Sequence, residues 1–96
     1  MKLTINENAA KWYIDEMNLK QGDYVRFFVR YGGTGIVSGF SLGVSNEKPI
    51  EPGAVTESDG VTFYIEEKDL WYLDGHELNV KYNEKYLEPE FDYVKK

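Results

Sequence analysis

The glycine-rich segment at residues 32–35 is one of two places where residue types and spacing suggest a binding site. Thr34 lies between Gly33 and Gly35, and its hydroxyl can donate or accept a hydrogen bond in an exposed turn. The alternative is structural, because glycine tolerates the positive φ angles of tight turns and Thr34 then merely fits. The segment lacks the GxxxxGK[ST] pattern, and no predicted helix follows it. We therefore do not expect a phosphate-binding loop here.

The second candidate is a metal site formed by Asp74, His76 and Glu77. His76 is the only histidine of the chain, and imidazole and carboxylate groups are common ligands of divalent metals. If these residues begin a strand, however, alternation places His76 and Glu77 on opposite faces of the sheet. The three residues are therefore weak ligand candidates, and we favour the interpretation of His76 as an ordinary residue at the start of a strand.

The remaining reactive residue types do not form a recognisable catalytic pattern. The 17 Asp and Glu residues show no diagnostic spacing and are expected to form a solvated surface. The absence of cysteine excludes disulfides, thiolate-held iron–sulfur clusters and cysteine zinc sites. We predict no catalytic residues, no cofactor and no enzymatic activity.

Length and charge restrict the class of protein further. The 96 residues form one domain, 1–96, and the net charge of −6 disfavours nucleic acid or anionic membrane as a partner. No apolar run approaches the roughly 18 residues of a membrane span, and the first residues contain no apolar signal-peptide region. These features predict a cytoplasmic protein.

The apolar pattern predicts an α+β fold with a mainly antiparallel sheet. Asn6 is a plausible N-cap, and apolar residues at helical spacing follow it as far as Leu19. Residues 45–60 are rich in Pro, Gly, Ser and Asn and predict a loop. A second, short helix is predicted at residues 66–73, and strands are predicted at residues 2–5, 24–31, 38–44, 61–65, 76–82 and 90–94.

The strand at residues 24–31 has two distinct faces. Phe28 lies between two arginines in the alternation, so it either stacks on them or packs beneath the first helix, which is the interpretation we favour. The core face is predicted to contain Val25, Phe27, Val29 and Tyr31, and the opposite face Arg26, Phe28 and Arg30.

Three stretches resemble the HesB/IscA-type domain, the fold of A-type iron–sulfur carriers. VRFFVRYGGTGIVSGFSLGV resembles the family's strand, Gly-Gly-Cys turn and returning strand. The family's next strand, short helix and Leu-Asp-Gly stop are resembled by DGVTFYIEEKDLWYLDG. The strand that follows in the family, and the beginning of its tail, are resembled by HELNVKYNEKYLEPEFDY. The resemblance implies a HesB-like domain with an N-terminal helix and mainly antiparallel sheets.

The chain departs from this family at the ligand positions. The family holds iron or a cluster with one cysteine after Gly-Gly and two in a Cys-Gly-Cys tail. Here Gly33, Thr34 and Gly35 occupy the vestigial turn site, and we expect the tail to be absent because the chain ends at Lys96. A threonine hydroxyl is a poor iron ligand. The resemblance therefore implies the fold of a cysteine-less HesB-like branch and assigns it no activity.

Two classes of function remain open. The first is a small binding module that acts through contacts with an unidentified protein partner or a ligand. The alternative is a metal- or small-ligand-binding protein that uses oxygen and histidine ligands and is related to iron–sulfur cluster biogenesis. We expect a monomer or weak homodimer, because residues 24–31 form a long apolar strand whose edge can pair, while residues 90–94 cover the other edge.

Overall fold

The computed structural model describes residues 1–96 and has two open mixed sheets, an N-terminal α-helix and a short 3₁₀ helix, which confirms the α+β prediction. None of its helices has the length and apolar character needed to span a membrane. The elements in chain order are β1 (Leu3–Ile5), α1 (Glu7–Glu16), β2 (Tyr24–Thr34), β3 (Ser38–Ser45), β4 (Pro52–Ser58), β5 (Val61–Glu66), the 3₁₀ helix (Glu67–Leu73), β6 (His76–Asn83) and β7 (Glu88–Lys95).

The strands form one sheet of four and one of three. The larger sheet has the order β3-β2-β5-β4, and the smaller has the order β1-β6-β7. Neighbours along the chain pair antiparallel in β2–β3, β4–β5 and β6–β7, whereas β2–β5 and β1–β6 are parallel. The outermost strands, which are hydrogen-bonded on one side only, are β3, β4, β1 and β7.

Four aromatic rings join both sheets and the helix in a single core. Phe27 of β2 stacks on Phe63 of β5, with ring centroids 6.1 Å apart, and both side chains are fully buried. Tyr13 of α1 contacts Phe27 edge-on at 5.7 Å, and Phe91 of β7 does so at 5.5 Å. Such edge-to-face contacts add to the stabilisation from apolar burial. Phe27 is therefore the residue through which the two sheets pack.

The prediction of a loop throughout residues 45–60 was wrong, because β4 lies within this segment. Pro52 begins β4, where a missing N–H costs no hydrogen bond at the start of an edge strand. A bulge follows between Pro52 and Ala54, and Ala54 is buried. The strand was missed because edge position, which is not visible in sequence, is what makes this proline compatible with a sheet.

Helix α1 begins as predicted but ends earlier. The Asn6 side chain accepts hydrogen bonds from the first backbone N–H groups of the helix, as an N-cap does. The helix ends at Glu16 rather than Leu19, because Asn18 adopts a left-handed conformation with φ of 54°. The Leu19 N–H then donates to the Ile14 carbonyl at 2.9 Å, and the Leu19 side chain turns back into the core.

Strand β2 buries only the first part of its predicted core face. Val25 and Phe27 are buried, but Tyr31 is 87% exposed because the strand continues beyond the core. Phe28 lies on the face opposite Phe27, so the prediction that it packs beneath the helix was wrong. The guanidinium carbon of Arg26 lies 5.6 Å from the Phe28 ring centroid, as in the stacking alternative.

Candidate interaction site

Residues 32–34 of the glycine segment form the end of β2, and only Gly35 lies in the turn. Thr34 is exposed and pairs with Ser38 across the hairpin, so the chain reverses at residues 35–37. Gly32 and Gly33 lie at a bulge and have φ angles of 100° and 73°, which side chains rarely adopt. The expectation that Thr34 lies at the tip of a tight turn is corrected accordingly.

Gly35 is required because there is no room for a side chain at this position, and not because of its backbone conformation. Its φ is not in the left-handed region, but an added Cβ would overlap the hydroxyl of Tyr72. That hydroxyl accepts a hydrogen bond from the Ile36 N–H at 3.1 Å and donates one to the Phe40 carbonyl at 3.4 Å. The buried Tyr72 of the 3₁₀ helix therefore holds the reversal between β2 and β3 in place.

A second tyrosine supports Tyr72 from the smaller sheet. The Tyr93 ring of β7 lies edge-on to the Tyr72 ring, with centroids 6.1 Å apart. Burial, together with a hydrogen bond to Tyr72, raises the pKa of Tyr93 well above the usual value for a phenol. The Tyr93 hydroxyl therefore keeps its proton at a pH where an exposed phenol would lose it.

Three aromatic side chains next to this segment form an exposed surface, which we call the ring cluster: Tyr31, Phe40 and Trp71. The Tyr31 and Phe40 rings lie 5.0 Å apart across the hairpin, and Trp71 meets Phe40 edge-on at 5.4 Å. Tyr31 is 87% exposed and Trp71 51% exposed. Large aromatic side chains that are exposed together are typical of protein-binding surfaces.

An ion pair fixes the 3₁₀ helix, and with it Trp71, against β2. Nη2 of Arg26 lies 3.1 Å from Oδ2 of Asp69, and both side chains are largely buried. Nη1 of Arg26 also lies 3.7 Å from a carboxylate oxygen of Glu47. Charged hydrogen bonds in a partly buried position constrain geometry more strongly than surface pairs do. This pair therefore has a positioning role for the ring cluster.

The residues proposed as weak metal ligands do not converge. Asp74 is exposed, and its backbone carbonyl, not its carboxylate, lies 3.0 Å from Nδ1 of His76. His76 and Glu77 are consecutive residues of β6, which places them on opposite faces of the sheet. Nowhere in the structure do three or more His, Asp or Glu side chains form a group that could hold a metal ion.

Sequence reasoning did not find the ring cluster. It assigned Tyr31 to the buried face, because strict alternation with Val25 and Phe27 continues through the strand. The pairing of Tyr31 with Phe40 follows only once the bulge and the three-residue reversal are known. The detectable signal was the position of two aromatic residues on either side of a glycine-rich turn.

A family model and several relatives match nearly the whole of this chain. The model of the family described as "Iron-sulphur cluster biosynthesis" matches residues 1–93. A Bacillus subtilis protein named "Pyruvate dehydrogenase inhibitor" is 55% identical over 94 residues, which cover 97% of this chain and 99% of that protein. An uncharacterised protein of Staphylococcus saprophyticus is 39% identical over 88 residues, covering 88% of this chain and 90% of that one.

Solved structures show the same fold. Escherichia coli SufA, described as involved in biosynthesis of iron–sulfur clusters, aligns with a TM-score of 0.59 at 20% identity and covers 99% of this chain and 86% of SufA. An Aquifex aeolicus protein aligns with a TM-score of 0.55 at 24% identity, over 98% and 91% of the two chains. The chain therefore belongs to the iron–sulphur cluster biosynthesis family, as a HesB/IscA-like domain that contains no cysteine.

Proposed function

We propose that this chain is a non-catalytic protein-binding module that inhibits a pyruvate dehydrogenase. The observation that carries the proposal is the 55% identity to the Bacillus subtilis protein of that name, which extends over nearly the whole of both chains. At this identity the core and the hairpins are expected to correspond. We also propose a cytoplasmic location, which the first residues and the lack of a long apolar run favour.

The ring cluster supports inhibition through a protein contact. Tyr31 and Trp71 expose aromatic surface to water. This exposed apolar surface contributes nothing to the stability of the folded domain. Aromatic side chains contribute disproportionately to binding energy at protein interfaces, because they bury a large area at a low cost in conformational entropy. A protein partner that covers the cluster would recover that energy.

The direct test uses purified components. We expect the chain to lower the pyruvate-dependent activity of the Bacillus subtilis pyruvate dehydrogenase complex in a saturable manner, with the Bacillus subtilis relative as the positive control. Size-exclusion chromatography with the separated subunits of the complex should show which subunit binds. Unchanged activity at an excess of this chain, under conditions in which the relative inhibits, would contradict the proposal.

We also propose that the chain acts without an iron–sulfur cluster, because it has no thiol to hold one. Anaerobic reconstitution with iron and sulfide should leave the visible spectrum flat after desalting.

Metal or small-ligand binding through oxygen and histidine ligands is the alternative that the sequence left open. Titration with iron, zinc or calcium, followed by tryptophan fluorescence, tests this alternative, and a stoichiometric response would favour it over the inhibitor.

A further inference from the structure

Three of the four exposed sheet edges carry features that discourage pairing with another strand. β1 is only three residues long. β4 begins with Pro52 and contains a bulge. β7 contains Pro89 and carries the negative charges of Glu88, Glu90 and Asp92. Short length, proline, bulges and charge are the devices by which natural proteins keep edge strands from pairing.

The fourth edge, β3, has none of these features from Phe40 to Ser45, beyond the bulge opposite Gly39. The strand Ser38–Ser45 is eight residues long and contains neither a charged residue nor a proline. It is the outermost strand of its sheet and pairs only with β2. One side of its backbone therefore offers N–H and C=O groups to an added strand.

The charge around this edge is opposite to that of the rest of the molecule. The chain has a net charge of −6, yet no carboxylate occurs between Tyr24 and Ser45, where the only charged residues are Arg26 and Arg30. Arg26 is paired with Asp69 and Glu47. Arg30 is exposed and forms no ion pair, so it is a free cation on β2, one strand in from the open edge and across from Ser41 of β3.

Arg30 and the ring cluster lie on opposite faces of the hairpin. Arg30 pairs with Ser41, and the adjacent pair is Tyr31 with Phe40. Because side chains alternate along a strand, a segment added to β3 would present one set of side chains to Arg30 and the other to the ring cluster. The edge therefore favours an occupant with an extended backbone, whose side chains alternate between a group that suits Arg30 and a group that suits the ring cluster.

We infer that the β3 edge binds an extended segment of the target protein by adding it to the four-stranded sheet, with a carboxylate of that segment at Arg30 and an apolar side chain on the ring cluster. This inference rests on the proposed function and names the surface through which it is exerted. Charge complementarity selects an acidic segment, since the net negative charge of the chain leaves this hairpin as its positive region.

The surface is tested first without the target protein. Two capped peptides, one alternating Glu and Val and the other alternating Lys and Val, are titrated into ¹⁵N-labelled protein and followed by NMR. We expect the acidic peptide to shift the amide resonances of β3 and the side-chain resonance of Trp71, and the basic peptide to shift neither. Equal responses to both peptides, no response, or shifts confined to β4 or β7 would overturn the inference.

The second test uses inhibition and a matched charge control. Arg30→Glu should raise the concentration needed for half-maximal inhibition of the Bacillus subtilis complex by about tenfold or more. Lys20→Glu makes the same change in net charge at an exposed position away from β3, and should inhibit like the wild type. Equal inhibition by wild type and Arg30→Glu would overturn the inference while leaving the proposed function intact. An inactive wild type would instead contradict the proposed function, and the peptide titration would then decide on the edge alone.

A second copy of the chain is the competing occupant. Sedimentation velocity over a concentration series should show a monomer whose weak self-association, if present, is unaffected by Arg30→Glu. A stable dimer that this substitution dissociates would show that the edge serves self-association, and would overturn the assignment of a target segment.

Discussion

The β2–β3 and β6–β7 hairpins pack against each other in the core and differ at their exposed ends. Phe27 of the first contacts Phe91 of the second in the core. At its end the β6–β7 hairpin has a turn that exposes Tyr86 and Leu87, in which Oδ1 of Asn83 accepts hydrogen bonds from the N–H groups of Lys85 and Tyr86 at 2.9 and 3.1 Å. The β2–β3 hairpin instead ends in the ring cluster and a glycine bulge.

The two hairpins also differ in the charge on their free edges. The free edge of the β6–β7 hairpin, β7, carries Glu88, Glu90 and Asp92, with a single lysine at its end, whereas the β2–β3 hairpin has no carboxylate and an uncharged free edge. Both hairpins place fully buried side chains in the core, Phe27 in the first and Val80 in the second, so burial alone does not explain the difference. The charged edge of β7 discourages the addition of another strand, whereas the uncharged edge of β3 does not.

The largest expected effect lies where the hairpins meet. Phe27→Ala should lower the free energy of unfolding by about 3–5 kcal/mol, because it removes a fully buried ring and leaves a cavity between the sheets. Phe91→Ala removes a ring that is only partly buried and should cost about 1–3 kcal/mol. Urea denaturation measures both, and a loss below about 1 kcal/mol for Phe27→Ala would show that the core is centred elsewhere.

A smaller effect distinguishes the ion pairs of the two hairpins. Asp69→Asn leaves the largely buried Arg26 without its main partner and should cost about 1–3 kcal/mol. Asp92→Asn breaks the exposed pair of Lys81 with Asp92, at 3.7 Å, and should cost at most about 1 kcal/mol. The comparison is made by thermal and chemical unfolding at low salt, and equal losses would remove the positioning role assigned to Arg26.

The smallest effect is a pH dependence. Burial raises the pKa of Tyr13 well above the ordinary value of 10.0, so the folded state keeps its proton while the unfolded state loses it. Stability from this group is therefore complete below pH 10 and decreases as the pH rises further. Up to about pH 10.5 the loss should be below about 1 kcal/mol. Tyr13→Phe should reduce this decline, and an unchanged pH profile would contradict the burial assigned to the hydroxyl.

The fold was largely predictable from sequence because its signals are local. Asn6 marks a helix start, and the alternation through Val25 and Phe27 marks a buried strand. The failures occurred where the structure depends on position in the sheet or on unusual backbone conformation. Pro52 is compatible with β4 only at an edge, and Asn18 ends α1 in a left-handed conformation that glycine more often adopts.

The candidate site was less predictable for a different reason. Its chemistry depends on which side chains remain exposed, and alternation alone does not indicate where a strand leaves the core. Tyr31 has the sequence pattern of a buried residue and the exposure of a surface residue. Trp71 meets Phe40 from the 3₁₀ helix, which the ion pair of Arg26 with Asp69 holds against β2. The open edge of β3 likewise follows from strand order, which no local pattern reveals.

The central claim is that the end of the β2–β3 hairpin, and not that of β6–β7, contacts the inhibited enzyme. Tyr31 and Tyr86 offer a matched pair, since both are exposed tyrosines near a hairpin end, at 87% and 64% exposure. The most direct measurement is inhibition of the Bacillus subtilis pyruvate dehydrogenase complex by the wild type, Tyr31→Ser and Tyr86→Ser. We expect Tyr31→Ser to inhibit at least about tenfold more weakly, as for an aromatic interface residue, and Tyr86→Ser to match the wild type. Equal inhibition by all three proteins, or weaker inhibition by Tyr86→Ser alone, would contradict the account.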